Sequence, residues 1–161
     1  MEDITYHPIG LINTPYKEAK NIPIQGAFDE NTEGCCCLDE KYAAGLLDLD
    51  GFSHAIILYH FDKSGVVKLR TSPFLEDVEH GIFAIRGPAR PNGIGLTVVK
   101  ITRIEGNRLF FVGVDMLDGT PILDIKPYVK YFDNRDNVKS GWVDQHFENG
   151  NIPQMLSKFR F

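Results

Sequence analysis

The sequence predicts an all-β barrel or sandwich with one or two short helices. Three observations carry this. Short apolar runs rich in β-branched and aromatic residues recur along the chain, turn residues separate them, and few segments read as helices. The first strand is expected at Tyr6–Asn13, ended by Thr14–Pro15. The adjacent cysteines Cys35, Cys36 and Cys37 read as an exposed or half-buried strand rather than a reactive site. A helix is expected over Glu40–Leu47, with Asp39 as N-cap and Gly51 beyond its end. Ser53–Phe61 is nearly continuously apolar, which predicts a strand buried on both faces. Gly81–Ile85 reads as a shorter strand of the same kind. Ile94–Ile104 and Arg108–Met116 flank Glu105–Gly106–Asn107, a hairpin with its turn chemistry in place. A second short helix is expected after Asn151, with Pro153 in its first turn. Asp133–Asn151 is polar and rich in Gly and Asn, and is expected to be a surface excursion that packs late or on a partner.

A chain of 161 residues, 43% hydrophobic and 24% charged, fits one soluble domain, with a core over about 6–131 and an extension over 132–161. No apolar run is long enough to span a membrane, and the start MEDITYHP lacks the features of a secretory signal. Three clustered cysteines form no disulfide framework, so a cytoplasmic location is expected. The net charge of −5 argues against a protein that coats nucleic acid indiscriminately. Between Arg86 and Lys139, however, nine Lys/Arg face six Asp/Glu, a local +3 that leaves −8 on the remainder.

Two stretches carry chemistry. Gly87–Gly95 reads GPARPNGIG and follows Arg86. Glycines allow close backbone approach, prolines fix φ, and the guanidiniums of Arg86 and Arg90 grip an anion or carboxylate. The spacing is neither a Walker loop nor a dinucleotide fingerprint, which argues against a Rossmann fold. Asp115–Tyr128, DMLDGTPILDIKPY, places Asp115 and Asp118 at a strand end, where carboxylates accept hydrogen bonds from hydroxyls or act as a base. His54 and His60 lie some 20 Å apart along one strand, and His7, His80 and His146 lack ligand spacing, so no metal site is expected. No Gly-x-Ser-x-Gly elbow marks a hydrolase.

In order, TPYKE (Thr14–Glu18), GFSHAIILYHFD (Gly51–Asp62), GIFAIRGPARPNGIGLT (Gly81–Thr97) and DGTPILDIKPY (Asp118–Tyr128) resemble the TsaA-like/TrmO family, over about Ile9–Tyr128. The resemblance implies a small non-Rossmann β-barrel that uses S-adenosyl-L-methionine. It also implies a homodimer with the cofactor cleft at or near its interface, and N6-methylation of threonylcarbamoyladenosine at position 37 of tRNA. By motif match, the cofactor would be held by Pro23, Ile24 and Gln25, then Asp62 and Lys63, then Arg86 and Leu96. Asp115, Met116, Leu117 and Asp118 would hold the adenosine moiety.

Transfer from a sulfonium is an in-line displacement in which positioning matters most, and the acceptor nitrogen is a poor nucleophile. Asp118 is the first candidate to accept its proton. Arg90, Lys126 and Tyr128 are candidates to orient the acceptor or contact phosphate, and the basic segment to face tRNA. The family loop usually reads Arg-Ser-x-x-Arg-Pro-Asn-Pro-Ile-Gly. Here Gly87 replaces the serine and Gly93 the second proline, changes expected to loosen the loop. Longer bacterial members add a C-terminal domain implicated in tRNA engagement, whereas this chain ends at Phe161. That difference leaves two alternatives, methylation of a small molecule and a non-catalytic S-adenosylmethionine-binding module.

Overall fold

The computed structural model describes residues 2–29 and 31–147. Six strands close into an antiparallel barrel: β1 (Gly10–Asn13), β2 (Glu33–Leu38), β3 (His54–His60), β6 (Ile94–Glu105), β7 (Arg108–Val112) and β8 (Pro121–Pro127). The order around the barrel is β1-β2-β7-β6-β3-β8, with β8 returning to β1. β4 (Arg70–Thr71) and β5 (His80–Gly81) form a separate two-residue ladder. A single helical turn, α1 (Lys130–Asp133), follows the barrel, and Asp133 accepts the Val129 N–H at 2.6 Å to close it.

Alternation fills the interior. Ala55, Ile57 and Tyr59 of β3, Val99 of β6, Leu109 and Phe111 of β7, Ile12 of β1 and Ile122 of β8 all point inward and are buried. Phe111 is the largest fully buried side chain. Phe111→Ala is expected to cost roughly 3–5 kcal/mol through lost burial and a residual cavity. Urea unfolding monitored by circular dichroism checks this; a loss below about 1 kcal/mol would place Phe111 outside the core.

Several expectations change. The first strand is shorter: its ladder with β2 and β8 begins at Gly10. The cysteine run is a strand, but Cys36 points fully inward and Cys35 is buried too. Burial pushes the Cys35 thiol up to about 12, so it stays protonated at neutral pH. Glu40–Leu46 forms 3-10 turns rather than an α-helix. The Asp39 side chain caps nothing; its backbone N–H donates to the Ile9 carbonyl and its carbonyl accepts the Tyr42 N–H. So short a segment does not recover the cost of α-helix nucleation. Ile82–Ala84 is a 3-10 turn where a strand was expected. β7 stops at Val112, because Gly113 turns the chain at φ +92°.

β3 is buried on one face only. Its outward residues Ile56 and Leu58 stay half-buried and lie opposite Val98 and Leu96 of β6. The hairpin forms as expected, with Gly106 at φ +59°. The expected C-terminal helix lies outside the described residues. No helix among the described residues is long and apolar enough to cross a membrane.

Candidate functional site

The topology fixes where loops can meet. With neighbours antiparallel, β1, β3 and β7 run one way and β2, β6 and β8 the other. The connections 14–32, 61–93 and 113–120 therefore emerge at the same end. All the predicted cofactor contacts except Leu96 fall in these three loops.

The centre of the cluster is Asp115. Its Oδ2 accepts hydrogen bonds from the Gly26 N–H at 3.0 Å and the Thr97 hydroxyl at 3.2 Å. Its Oδ1 is buried and has no partner. Burial holds this carboxyl up at about 6, although those two bonds and the nearby Arg86 charge favour ionisation. Arg86 reaches across to donate to Gln25 Oε1 at 3.1 Å. Tyr59 stands inward beneath, its ring resting on Gly95, where a Cβ would meet it at 2.3 Å. Burial, and then the Asp115 charge, raise the Tyr59 phenol, so it stays protonated.

A second group adjoins it. Asp118 accepts the Thr14 N–H at 3.1 Å and pairs with Lys17 Nζ at 2.6 Å. The Lys17 contact, then the Thr14 N–H, hold its carboxyl below the usual value. Lys63 Nζ donates to the Asp118 carbonyl at 3.1 Å, tying two loops together. The Thr14 hydroxyl donates to the Met116 carbonyl at 3.1 Å, and Met116 is buried. A cleft of about 280 Å³ lies beside this group, lined among others by Thr14, Pro15, Lys17, Phe110 and Asp118. A larger, mainly apolar hollow of about 370 Å³ lies at the opposite end, between Leu46, Leu47 and Ile125. It holds no comparable convergence of polar groups, so the site is placed at the loop end.

The structure thus brings together Gln25, Lys63, Arg86, Asp115 and Asp118, with Pro23 buried and Ile24 half-buried beside Gln25. Arg90 lies in the same loop, but its guanidinium is turned onto the Ile85 and Gly87 carbonyls at 3.0 and 3.3 Å, where it shapes the loop. Asp62 is exposed at the start of that loop and Leu117 is half-buried. Leu96 is 46% exposed on the outer face of β6, apart from the cluster. Lys126 and Tyr128 lie toward the other end of β8: Lys126 pairs with Asp124 at 2.5 Å, and Tyr128 donates to Asn134 at 2.6 Å.

Thr97, Tyr59, Gly26 and Lys17 were not singled out from sequence. The apolar runs of β3 and β6 carry no period-2 signal in sequence; only the alternating burial of these strands in the structure turns Tyr59 and Thr97 inward. Gly93 does more than loosen its loop. At φ +58° it adopts a conformation closed to proline, and its N–H donates to the Arg90 carbonyl at 3.2 Å. Among the described residues, no group of three His, Cys, Asp or Glu side chains is arranged to hold a metal ion.

A closed antiparallel barrel whose polar cluster is built from three loops at one end, with no strand–glycine loop–helix unit among the described residues, defines a β-barrel of non-Rossmann type. Residues 11–134 match the tRNA-methyltransferase O N-terminal domain, and the chain belongs to that family. It is 46% identical over 143 residues to a probable S-adenosyl-L-methionine-binding protein of Pyrococcus abyssi, covering 89% of this chain and 78% of that one. It is 32% identical to the tRNA (adenine(37)-N6)-methyltransferase of Homo sapiens, over 94% of this chain but 36% of the human protein. A crystal structure of TrmO superposes with a TM-score of 0.75 at 35% identity, over 87% of this chain and 64% of that one. The chain therefore spans most of the archaeal relative, about a third of the human one and just under two thirds of the TrmO chain.

Proposed function

We propose that this chain is a cytoplasmic S-adenosyl-L-methionine-dependent methyltransferase, a single barrel domain over residues 1–161, that methylates N6 of adenosine 37 in tRNA. The observation that carries the cofactor assignment is Asp115. A carboxylate with one satisfied oxygen and one buried, unpartnered oxygen suits a ligand that brings its own hydroxyl or amine donor. Arg86, across the cleft, suits the carboxylate of the same ligand.

When bound, the cofactor supplies an electrophilic methyl group on sulfur. The chain's part is to bind and orient. Pro23, Ile24 and Gln25 form one wall, Asp62, Lys63 and Arg86 a second, and Asp115, Met116, Leu117 and Asp118 a third. Lys17 and Thr14 hold Asp118 ionised, so it accepts a hydrogen bond from an acceptor N–H without carrying the proton at neutral pH. Arg90 stiffens the Arg86 loop from within. Contact with tRNA is assigned to the exposed basic residues of the 86–139 segment. Lys126 and Tyr128 belong there rather than beside the reacting atoms. Arg103 is already paired with Glu33 at 2.6 Å and contributes little free charge.

The test titrates S-adenosylmethionine by calorimetry and then follows radiolabel into threonylcarbamoyl-modified tRNA. Binding with transfer to that tRNA, and none to unmodified tRNA, is expected. Absence of binding at millimolar cofactor overturns the reading. Transfer to a metabolite pool alone assigns a small-molecule acceptor, and binding without transfer to either reduces the chain to a binding module.

A homodimer is part of the same reading. Ile94, Leu96 and Val98 project from the outer face of β6 at 41, 46 and 40% exposure, and Leu58 and Ile56 lie directly opposite Leu96 and Val98. Such a contiguous apolar face on a small barrel suits burial against a second copy, which would also bring Leu96 to a shared cleft. Val98→Asp is expected to yield monomer in sedimentation at concentrations where the unaltered chain is dimeric. A wild type that stays monomeric throughout removes the claim.

A further inference from the structure

The segment that follows the barrel, beyond the family match at 134, folds back onto the 61–93 connection. Residues Gly141–His146 form 3-10 turns, and Trp142 is the only tryptophan in the chain. Its indole N–H donates to the Ala84 carbonyl at 2.9 Å, two residues before Arg86. Its ring stacks on His80, with centroids 4.8 Å apart and planes 16° from parallel. His146 bonds Glu76 Oε2 at 2.7 Å, Gln145 Nε2 donates to the same oxygen at 2.8 Å, and His80 engages Glu76 Oε1. The partners of this segment, Glu76, His80 and Ala84, all lie in the long connection 61–93.

That connection has little to hold it otherwise. Its ordered backbone is the two-residue ladder β4/β5, one 3-10 turn and a few isolated hydrogen bonds. Val66, Leu69, Phe74, Val78 and Phe83 along it are largely exposed, so it contributes little to the core besides Ile82. A long excursion with few buried anchors samples many arrangements, and fixing it before a ligand arrives raises affinity.

We propose that residues 141–147 act as a strap, in which Trp142 is a positioning residue that holds the Ile82–Arg86 turn and thereby places Arg86 over the ligand site. This rests on the reading of the loop cluster as the S-adenosylmethionine site. By linkage, docking of the strap and binding of the ligand strengthen each other by the same factor.

The test uses the full chain and S-adenosylmethionine itself. Trp142→Ala is expected to weaken binding about tenfold, and Trp142→Phe, which keeps a ring on His80 but loses the bond to Ala84, about threefold. In the wild type, the ligand is expected to slow hydrogen exchange at the strap amides of Val143 and Phe147. In ligand-free Trp142→Ala, the amides of Ile85, Arg90 and Gly93 are expected to exchange faster, while Ile57 and Val99 in the barrel do not change. The barrel amides separate release of the strap from general unfolding. Wild-type-like affinity in Trp142→Ala, within twofold, overturns the proposal. So does an absence of ligand protection at the strap amides. If the wild type binds no S-adenosylmethionine, the functional reading fails first. Unchanged exchange at Ile85, Arg90 and Gly93 in Trp142→Ala then still overturns the strap independently.

Discussion

Asp115→Asn is expected to stabilise the ligand-free protein at alkaline pH while crippling its binding site. The folded carboxyl titrates at about 6, against an ordinary 3.8. The folded state therefore binds the proton more tightly than the unfolded state, and stability falls as pH rises from about 4 through about 6. A shift of this size corresponds to about 3 kcal/mol at pH 8, since each pKa unit is worth about 1.4 kcal/mol. Asparagine removes the ionisation, and its amide oxygen still accepts from Gly26 and Thr97. The melting temperature of the variant should match wild type near pH 4 and exceed it by several degrees at pH 8, at about 2–4 °C per kcal/mol. Its affinity for S-adenosylmethionine should fall at least about tenfold, through loss of the charged acceptor. Melting curves across pH 4–8 and a calorimetric titration decide the matter. A melting difference that does not vary with pH removes Asp115 as the ionising group. A site that holds strain in its empty state for the benefit of its ligand gives this exchange of stability for function.

The second large effect is expected at Gly26. A Cβ at this position would lie 1.9 Å from the Gly113 carbonyl oxygen and 2.7 Å from its carbon, both backbone atoms. Neither can swing aside as a flexible side chain would. Gly26→Ala must therefore push the 23–28 segment off the barrel mouth, breaking the Gly26 N–H bond to Asp115 and withdrawing Gln25 from Arg86. A loss of roughly 2–3 kcal/mol is expected from this overpacking. Binding of S-adenosylmethionine should drop more than about tenfold, an amount set by the loss of one wall of the cleft. Because the displaced loop lies outside the barrel, far-ultraviolet circular dichroism should change little. A variant that keeps wild-type affinity would show that residues 23–26 form no part of the site.

Much of the fold was legible because its determinants are local. The β6–β7 hairpin announces itself in Glu105–Gly106–Asn107, where glycine supplies the positive φ that the turn requires. The strands at 54–60 and 94–105 announce themselves by their β-branched and aromatic content. Two of the differences arise where the tertiary surroundings override a local preference. Glu40–Leu47 reads as helical, yet the Asp39 N–H is held by the carbonyl of Ile9, just before β1. Ser53–Phe61 looked doubly buried because both its faces are apolar. Within one barrel only the inner face is covered, and the outer one remains for another surface.

The candidate site was legible as composition and not as geometry. Arg86 and the glycine-rich loop, and Asp115 with Asp118, stood out because structural turns do not need such densities of charge beside Gly and Pro. Which carboxylate is primed for a ligand could not be read from the chain, since Asp115 and Asp118 are three residues apart and chemically identical. Burial under the barrel mouth leaves Asp115 with an unmet acceptor. Pairing with Lys17 leaves the half-buried Asp118 ionised.

The sequence by itself thus determined the all-β class, the hairpin and the family, and it singled out the loops of the candidate site. Those follow from short-range patterns and ordered motifs. Only the tertiary structure decided that three loops distant in sequence share one barrel end, that Arg90 serves its own loop while Arg86 faces Gln25, and that Trp142 is laid across the Arg86 turn. These depend on antiparallel closure and on burial, both long-range properties that no window of residues contains.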